Sequence, residues 1–241
     1  SLTANGAGIT DSTGSVVVTG TSSLEATGQD IALDAAGNDF VGDLSIGNAN
    51  NVTLVDSNGI SLNFLNVGGN LDVTAGGDIT ESVGSWVTVV GTASFTAGGG
   101  SDIVLVDSPD LQGAIDVTTS GNVTISNWGT AAMAASSVGG NLNVASAGGD
   151  VDVDGKLIVG GAVNLNAGGA IHVNADIDPT TVTMMAAGDI LVDADVTAGS
   201  LISLVAGGGG AGGVTVTANG SLTTTATPSG ITISTGTVSG D

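Results

Sequence analysis

Short bursts of alternating apolar and polar residues recur along the whole chain. Leu71 and Val73, Val123 and Ile125, Leu142 and Val144, Val163 and Leu165, and Val182 and Met184 are each separated by one residue. A period of two predicts strands with one buried face. Each burst runs into a Gly-rich stretch, often carrying an Asp, which reads as a turn because Gly supplies positive φ angles. A second burst follows: Ile79, Ile103, Val151 and Val153, Ile171 and Val173, Ile190 and Val192, Val214 and Val216, Ile231 and Ile233. Several cycles add a third apolar patch, such as Val87 and Val89, Leu157 and Val159, or Val196. Helices have no support, since Gly and β-branched residues dominate and no capping box leads into a 3.6-residue period.

Taking the residue before the first apolar position as an anchor gives Ser1, Thr21, Asp43, Asn70, Thr92, Asn122, Asn141, Ala162, Thr181, Ser200 and Ser221. Most steps are 19 to 22 residues; Asp43 to Asn70 is 27 and Thr92 to Asn122 is 30. The long steps predict enlarged coils around 43–69 and 92–121, against a regular second half. A repeat of this length is one turn of a β-solenoid. The expectation is therefore an all-β parallel β-helix (β-solenoid), about 20 residues per coil and roughly 11 coils, forming a single domain over 1–241. An antiparallel sandwich also shows alternation at 8–12-residue spacing. The return of the same turn phrase every second strand favours the solenoid.

Charge narrows the partners. The chain has one Lys or Arg against 23 Asp and Glu, a net charge of −22. Such a chain repels nucleic acid and anionic membrane, and its charged partners are divalent cations or basic surfaces. It is not a disordered acidic tail, because 41% of its residues are hydrophobic. Nearly all the acids are Asp, which suits turns. Cysteine is absent, which a secreted domain with an extensive core tolerates. No apolar run reaches membrane-spanning length, so no membrane insertion is expected. Aromatics make up 2% of the chain, which argues against a deep ligand pocket. Both ends fall within repeats, so the expected partners are neighbouring solenoid segments or identical copies stacked head to tail.

The phrases Asn70–Thr80, Asn141–Val153, Val163–Val173 and Met184–Val192 resemble the repeats of filamentous-haemagglutinin-like large exoproteins and autotransporter-type bacterial surface adhesins. The resemblance implies a right-handed parallel β-helix at a bacterial cell surface or in an extracellular matrix. It carries over no catalytic residue.

Candidate chemistry concentrates in Asp. The residue just before the second strand reads Asp30, Asn51, Asp78, Asp102, Asp150, Ala170 and Asp189. Stacked coils would bring these carboxylates about 5 Å apart, where they repel unless bridged. No cofactor is required, and a line of Ca2+ sites is one reading, with Asp78, Asp102, Asp150, Asp152 and Asp154 as ligands. The plainer reading is that each Asp caps its own turn by accepting backbone N–H groups. Asp150, Asp152 and Asp154 alternate with Val151 and Val153, so their carboxylates should face solvent. Asp176, Asp178, Asp193 and Asp195 could extend that acidic flank. Paired carboxylates can hydrolyse glycosides, which makes a surface polysaccharide hydrolase using Asp150 and Asp152 the alternative function. A solvated acidic face that keeps the sheet soluble explains the same residues.

His172 lies between Ile171 and Val173 and should point outward, without the partners a transition-metal site needs. Lys156 should pair weakly with the Asp run. Gly98–Asp102 only approximates a calcium-binding nonapeptide, and Gly207–Gly213 lacks the Lys and helix of a phosphate loop. Thr215, Thr217, Thr223 and Thr225 do not repeat coil after coil as a flat hydroxyl array would. The leading expectation is a non-enzymatic extracellular solenoid, acting as a rigid shaft, adhesin or filament component. Its further partners would be a host or cell-surface receptor or a polysaccharide.

Overall fold

A computed structural model describes residues 1–4, 6–11, 14–107, 109–208 and 210–235. Among them the regular structure is all β-strand, with every strand pair parallel. The chain is a β-solenoid of about ten turns with about 21 residues per turn. It packs as two compact units, Ser1–Ser126 and Asn127–Asp241. The glycine-rich turn around 207–213 includes Gly209, which lies outside the described residues, as does 236–241.

In the first unit one sheet runs through Leu2–Thr3, Ser22–Glu25, Leu44–Ala49, Ile60–Val67, Ile79–Val89 and Ile103–Leu105. A second runs through Ile9–Thr10, Ile31–Leu33, Val52–Asp56, Leu71–Ala75, Ala93–Ala97 and Ala114–Thr119. Each strand pairs with the strand one coil later, so equivalent side chains stack. Val52, Leu71, Ala93 and Ile115 form one inward column, and Leu54, Val73, Phe95 and Val117 the next. All eight are buried. Alternation places their neighbours outside, so stacked coils of alternating β-branched and polar residues make a wall with one buried face. Each fully buried Leu, Ile, Val or Phe contributes about 1.5–3 kcal/mol only once the next coil covers it.

In the second unit each coil has three strands. Val151–Val153, Leu157–Val159 and Ala162–Ala167 form one such coil, and each pairs with its counterpart in the following coil: Ile171–Val173, Ile177–Asp178 and Thr181–Ala186. The last described coil, 214–235, exposes Val216, Ile231 and Ile233. Their counterparts one coil earlier, Val192, Ile202 and Leu204, are fully buried.

Three expectations need correction. The 27- and 30-residue steps are not enlarged coils. Asn70 and Thr92 precede strands of the second sheet, whereas Asp43 and Asn122 precede strands paired in the first, so those steps measure between different faces. Measured within the first sheet, the steps are Ile60 to Ile79, Ile79 to Ile103 and Ile103 to Val123, or 19, 24 and 20 residues. The irregular coil lies instead in the second unit, where Leu201 pairs with Gly230, 29 residues on. Ser221 had hidden it, because it begins a strand paired with Asp195–Ala198 on another face. The coil number falls accordingly from roughly eleven to about ten.

The third correction concerns glycine. Among the described residues only Gly6, Gly28, Gly84, Gly99, Gly100, Gly207 and Gly210 have positive φ. Most turn glycines serve close stacking instead. A Cβ on Gly113 would stand 2.2 Å from the Gly91 carbonyl oxygen of the coil before it.

Candidate functional site

The Asp and Asn residues at the corners form a ladder between coils. In the first unit Asp30 Oδ1 accepts the Asn51 N–H at 3.0 Å, Asn51 Oδ1 accepts the Asn70 N–H at 3.0 Å, and Asn70 Oδ1 accepts the Thr92 N–H at 2.9 Å. A separate ladder joins Asp78 Oδ1 to the Asp102 N–H at 2.8 Å and Asp102 Oδ1 to the Asn122 N–H at 2.7 Å. The expected single column is therefore two in this unit. Asp30 and Asn51 enter strands of the second sheet, Asp78 and Asp102 strands of the first. The same turn phrase occurs at both corners, so spacing alone merges them.

In the second unit Asp150 Oδ1 accepts the Ala170 N–H at 2.7 Å, and Asp189 Oδ1 accepts the Gly213 N–H at 2.8 Å. Asn141 Oδ1 accepts the Ala162 N–H at 2.8 Å, and Asp176 Oδ1 the Asp195 N–H at 3.2 Å. The capping reading thus holds in altered form: these side chains cap the next coil's turn rather than their own. At Asp30 the Asn51 N–H, and then the Asn50 amide, hold the carboxyl below its ordinary range. At Asp43 the hydroxyls of Ser82 and Ser61 do the same. Burial pushes Asp11 up, yet bonds from Asn38, Ala35 and Asp34 bring it below its usual value.

The five calcium candidates are not gathered in one place. Asp78 and Asp102 share a ladder, while Asp150 belongs to another. Asp152 Oδ1 lies 2.6 Å from His172 Nδ1, and Asp154 Oδ1 accepts the Asn174 amide at 2.8 Å. Among the described residues no group of three or more His, Asp or Glu side chains is arranged to hold a metal. The run Asp150–Asp154 is also divided. Its strand is only Val151–Val153, so Asp152 alone lies on the sheet and the other two sit on the flanking corners. His172 does face outward, half-buried, with Nδ1 beside the Asp152 carboxylate; this is the one contact between a Lys, Arg or His and a carboxylate among the described residues. The pairing expected for Lys156 is therefore not made there.

Two features of the first unit went unread in the sequence. One is a bulge in the strand Ile79–Val89. Glu81 pairs with Leu62 and Trp86 with Phe64, so Ser82–Ser85 stand opposite Asn63 alone. The bulge is pinned by the Gly84 N–H to Asp107 Oδ2 at 2.7 Å and the Asp107 N–H to Glu81 Oε2 at 2.9 Å. Glu81 Oε1 is buried without a hydrogen-bond partner. Burial pushes the Glu81 carboxyl up more than the Asp107 N–H pulls it down, and the Asp107 charge adds to the rise. Asp72 is also raised, by burial and then by Asp116. The second feature is aromatic. Phe40 and Phe95 are buried, but Phe64, Trp86 and Trp128 are each more than half exposed. Scarcity in the composition hid this, because a count does not tell which side of the wall a ring occupies.

No curated protein and no solved structure matches the chain. Residues 1–47, 49–118 and 120–178 match a family of repeats. These matches span most of the chain and fall on the coils described above. The chain belongs to the family described as repeats of unknown function (DUF5649).

Proposed function

We propose that this protein is an extracellular structural or adhesive solenoid: a stiff, non-enzymatic element of a bacterial surface or its matrix. The observation that supports this most is the doubled bonding between coils. Parallel strand ladders join every coil to the next within each unit. Asp and Asn side chains add further bonds at the corners, where strand pairing stops. Such a wall resists unzipping because each coil is held at its faces and its corners together. The single Lys and the absence of Arg deny trypsin-like proteases more than one cleavage point, which suits long residence outside a cell. Further solenoid coils are the partners that fit the exposed Val216, Ile231 and Ile233, since they would continue the same apolar columns.

Native chain exposed to a broad-specificity protease tests the structural part. The expected result is survival for hours, with cuts confined to turns. Digestion at the rate of an unfolded chain overturns it. Display of the chain on a non-adherent bacterium tests the adhesive part, through retention on surfaces relative to the undisplayed control.

A further inference from the structure

The outer face of the first sheet carries two rows of side chains that the shaft role does not use. Phe64 and Trp86 are register partners in adjacent coils, both exposed. Two residues further along the same strands, and so on the same face, Asn66 is the partner of Thr88. Asn66 in turn donates its amide to Asn48 Oδ1 at 2.8 Å in the preceding coil. An aromatic row thus runs beside a row of amide and hydroxyl groups. Between them lies an open groove of about 360 Å3, lined by Gly47, Phe64, Asn66, Trp86 and Thr88 over Ile46 and Leu65. Gly47 contributes no side chain, and the Glu25 carboxylate of the preceding coil stands where its Cβ would be.

The bulge beside it fixes the arrangement. Three extra residues on one strand would throw Trp86 out of step with Phe64, but the Glu81–Asp107–Gly84 bonds hold the loop. The strand resumes with Trp86 opposite Phe64. Two exposed rings are thereby set one coil apart, about 4.8 Å along the stack.

We infer that this groove binds a neutral, β-linked glycan. A sugar with equatorial hydroxyls has an apolar C–H face that stacks on an aromatic ring, and a polar rim that takes hydrogen bonds from amides and hydroxyls. The two rows supply those two needs side by side. The charge decides among occupants: at −22 the chain repels anionic polysaccharide, nucleic acid and a second copy laid alongside. An uncharged chain of sugars meets no such barrier. This deepens the adhesive side of the proposed function, and the shaft reading stands without it.

Native electrophoresis of the full chain through gels containing hydroxyethyl cellulose, with polygalacturonate gels as the anionic comparison, tests the site. Retardation is expected in the first and not the second. Trp86→Ala should weaken it by about tenfold or more and Phe64→Ala by several-fold. Trp128→Ala, on the other unit, should leave it unchanged, with melting temperature unaltered in all three variants. In a Trp128→Phe chain, Trp86 emission should shift to shorter wavelength on adding cello-oligosaccharide. No retardation by the neutral polymer overturns the inference, as does retardation that survives Trp86→Ala. Self-association by sedimentation that Trp86→Ala abolishes would give the face to a second copy instead. Protease resistance, unaffected by Trp86→Ala, reports separately on the shaft.

Discussion

Asp102 and Asn122 are clamped in both directions. The Asp102 carboxylate accepts the Asn122 N–H at 2.7 Å, while the Asn122 carbonyl accepts the N–H of Ile103, next to Asp102, at 2.9 Å. The Asn122 amide adds a second bond to the same carboxylate oxygen at 3.1 Å. One residue's side chain thus ties two coils at the corner where the strand ladder begins.

Capping of this kind needs an acceptor oxygen, not a charge. Asp102→Asn, which keeps Oδ1, should shift stability by less than about 0.5 kcal/mol, and Asp102→Ala should cost about 1 kcal/mol. Denaturant unfolding of both variants checks this. Equal losses in Asn and Ala would show that the charge matters instead, as metal binding requires.

Chelation gives the complementary reading. The calcium candidates Asp78, Asp102, Asp150, Asp152 and Asp154 each already have an oxygen engaged by an N–H group or an imidazole nitrogen. The expected melting temperature is the same in EDTA and in millimolar calcium. A rise with calcium would return the Asp residues to the role of ligands.

Glu81 sets a pH dependence with a definite sign. Its folded carboxyl binds a proton more tightly than the unfolded one, because burial disfavours the charge. Its contribution is therefore fully present below the unfolded value of 4.5 and is lost as pH rises through the raised folded value. Against Glu81→Gln, the native chain should gain stability as pH falls from neutral to about 4.5, then run parallel below it. Thermal melts across that range test the sign, and a constant difference would refute it.

Two glycines in the same sequence phrase should respond oppositely to alanine. A Cβ on Gly168 would stand 2.5 Å from the Ala147 carbonyl oxygen, so Gly168→Ala should destabilise by about 1–3 kcal/mol. A Cβ on Gly148 meets nothing closer than the Trp128 carbonyl oxygen at 3.7 Å. Gly148→Ala should stabilise by about 0.4–1 kcal/mol through the unfolded chain. Paired unfolding curves decide it.

The sequence by itself determined the wall. Alternation such as Leu71-Asp72-Val73 can bury only one side, and a turn phrase every 20 or so residues leaves each strand's partner one coil away. Period and alternation are local properties, so they survive in one dimension. The assignment of phrases to faces did not. Asn70 and Asn122 begin identical-looking bursts, yet one enters the second sheet and the other the first. Which corner a phrase occupies depends on how many strands precede it in the coil, and short strands leave that count ambiguous. The Asp residues were legible as caps, but their partners lie in the next coil, 19 to 24 residues away, where only stacking brings them. Trp86 facing Phe64 was further out of reach: it needs the bulge at Ser82–Ser85, held by Asp107 from the following coil. Local pattern fixed what each strand buries; the stacking of coils decided which side chains meet across them, because register between coils is set by corners and bulges rather than by the repeat.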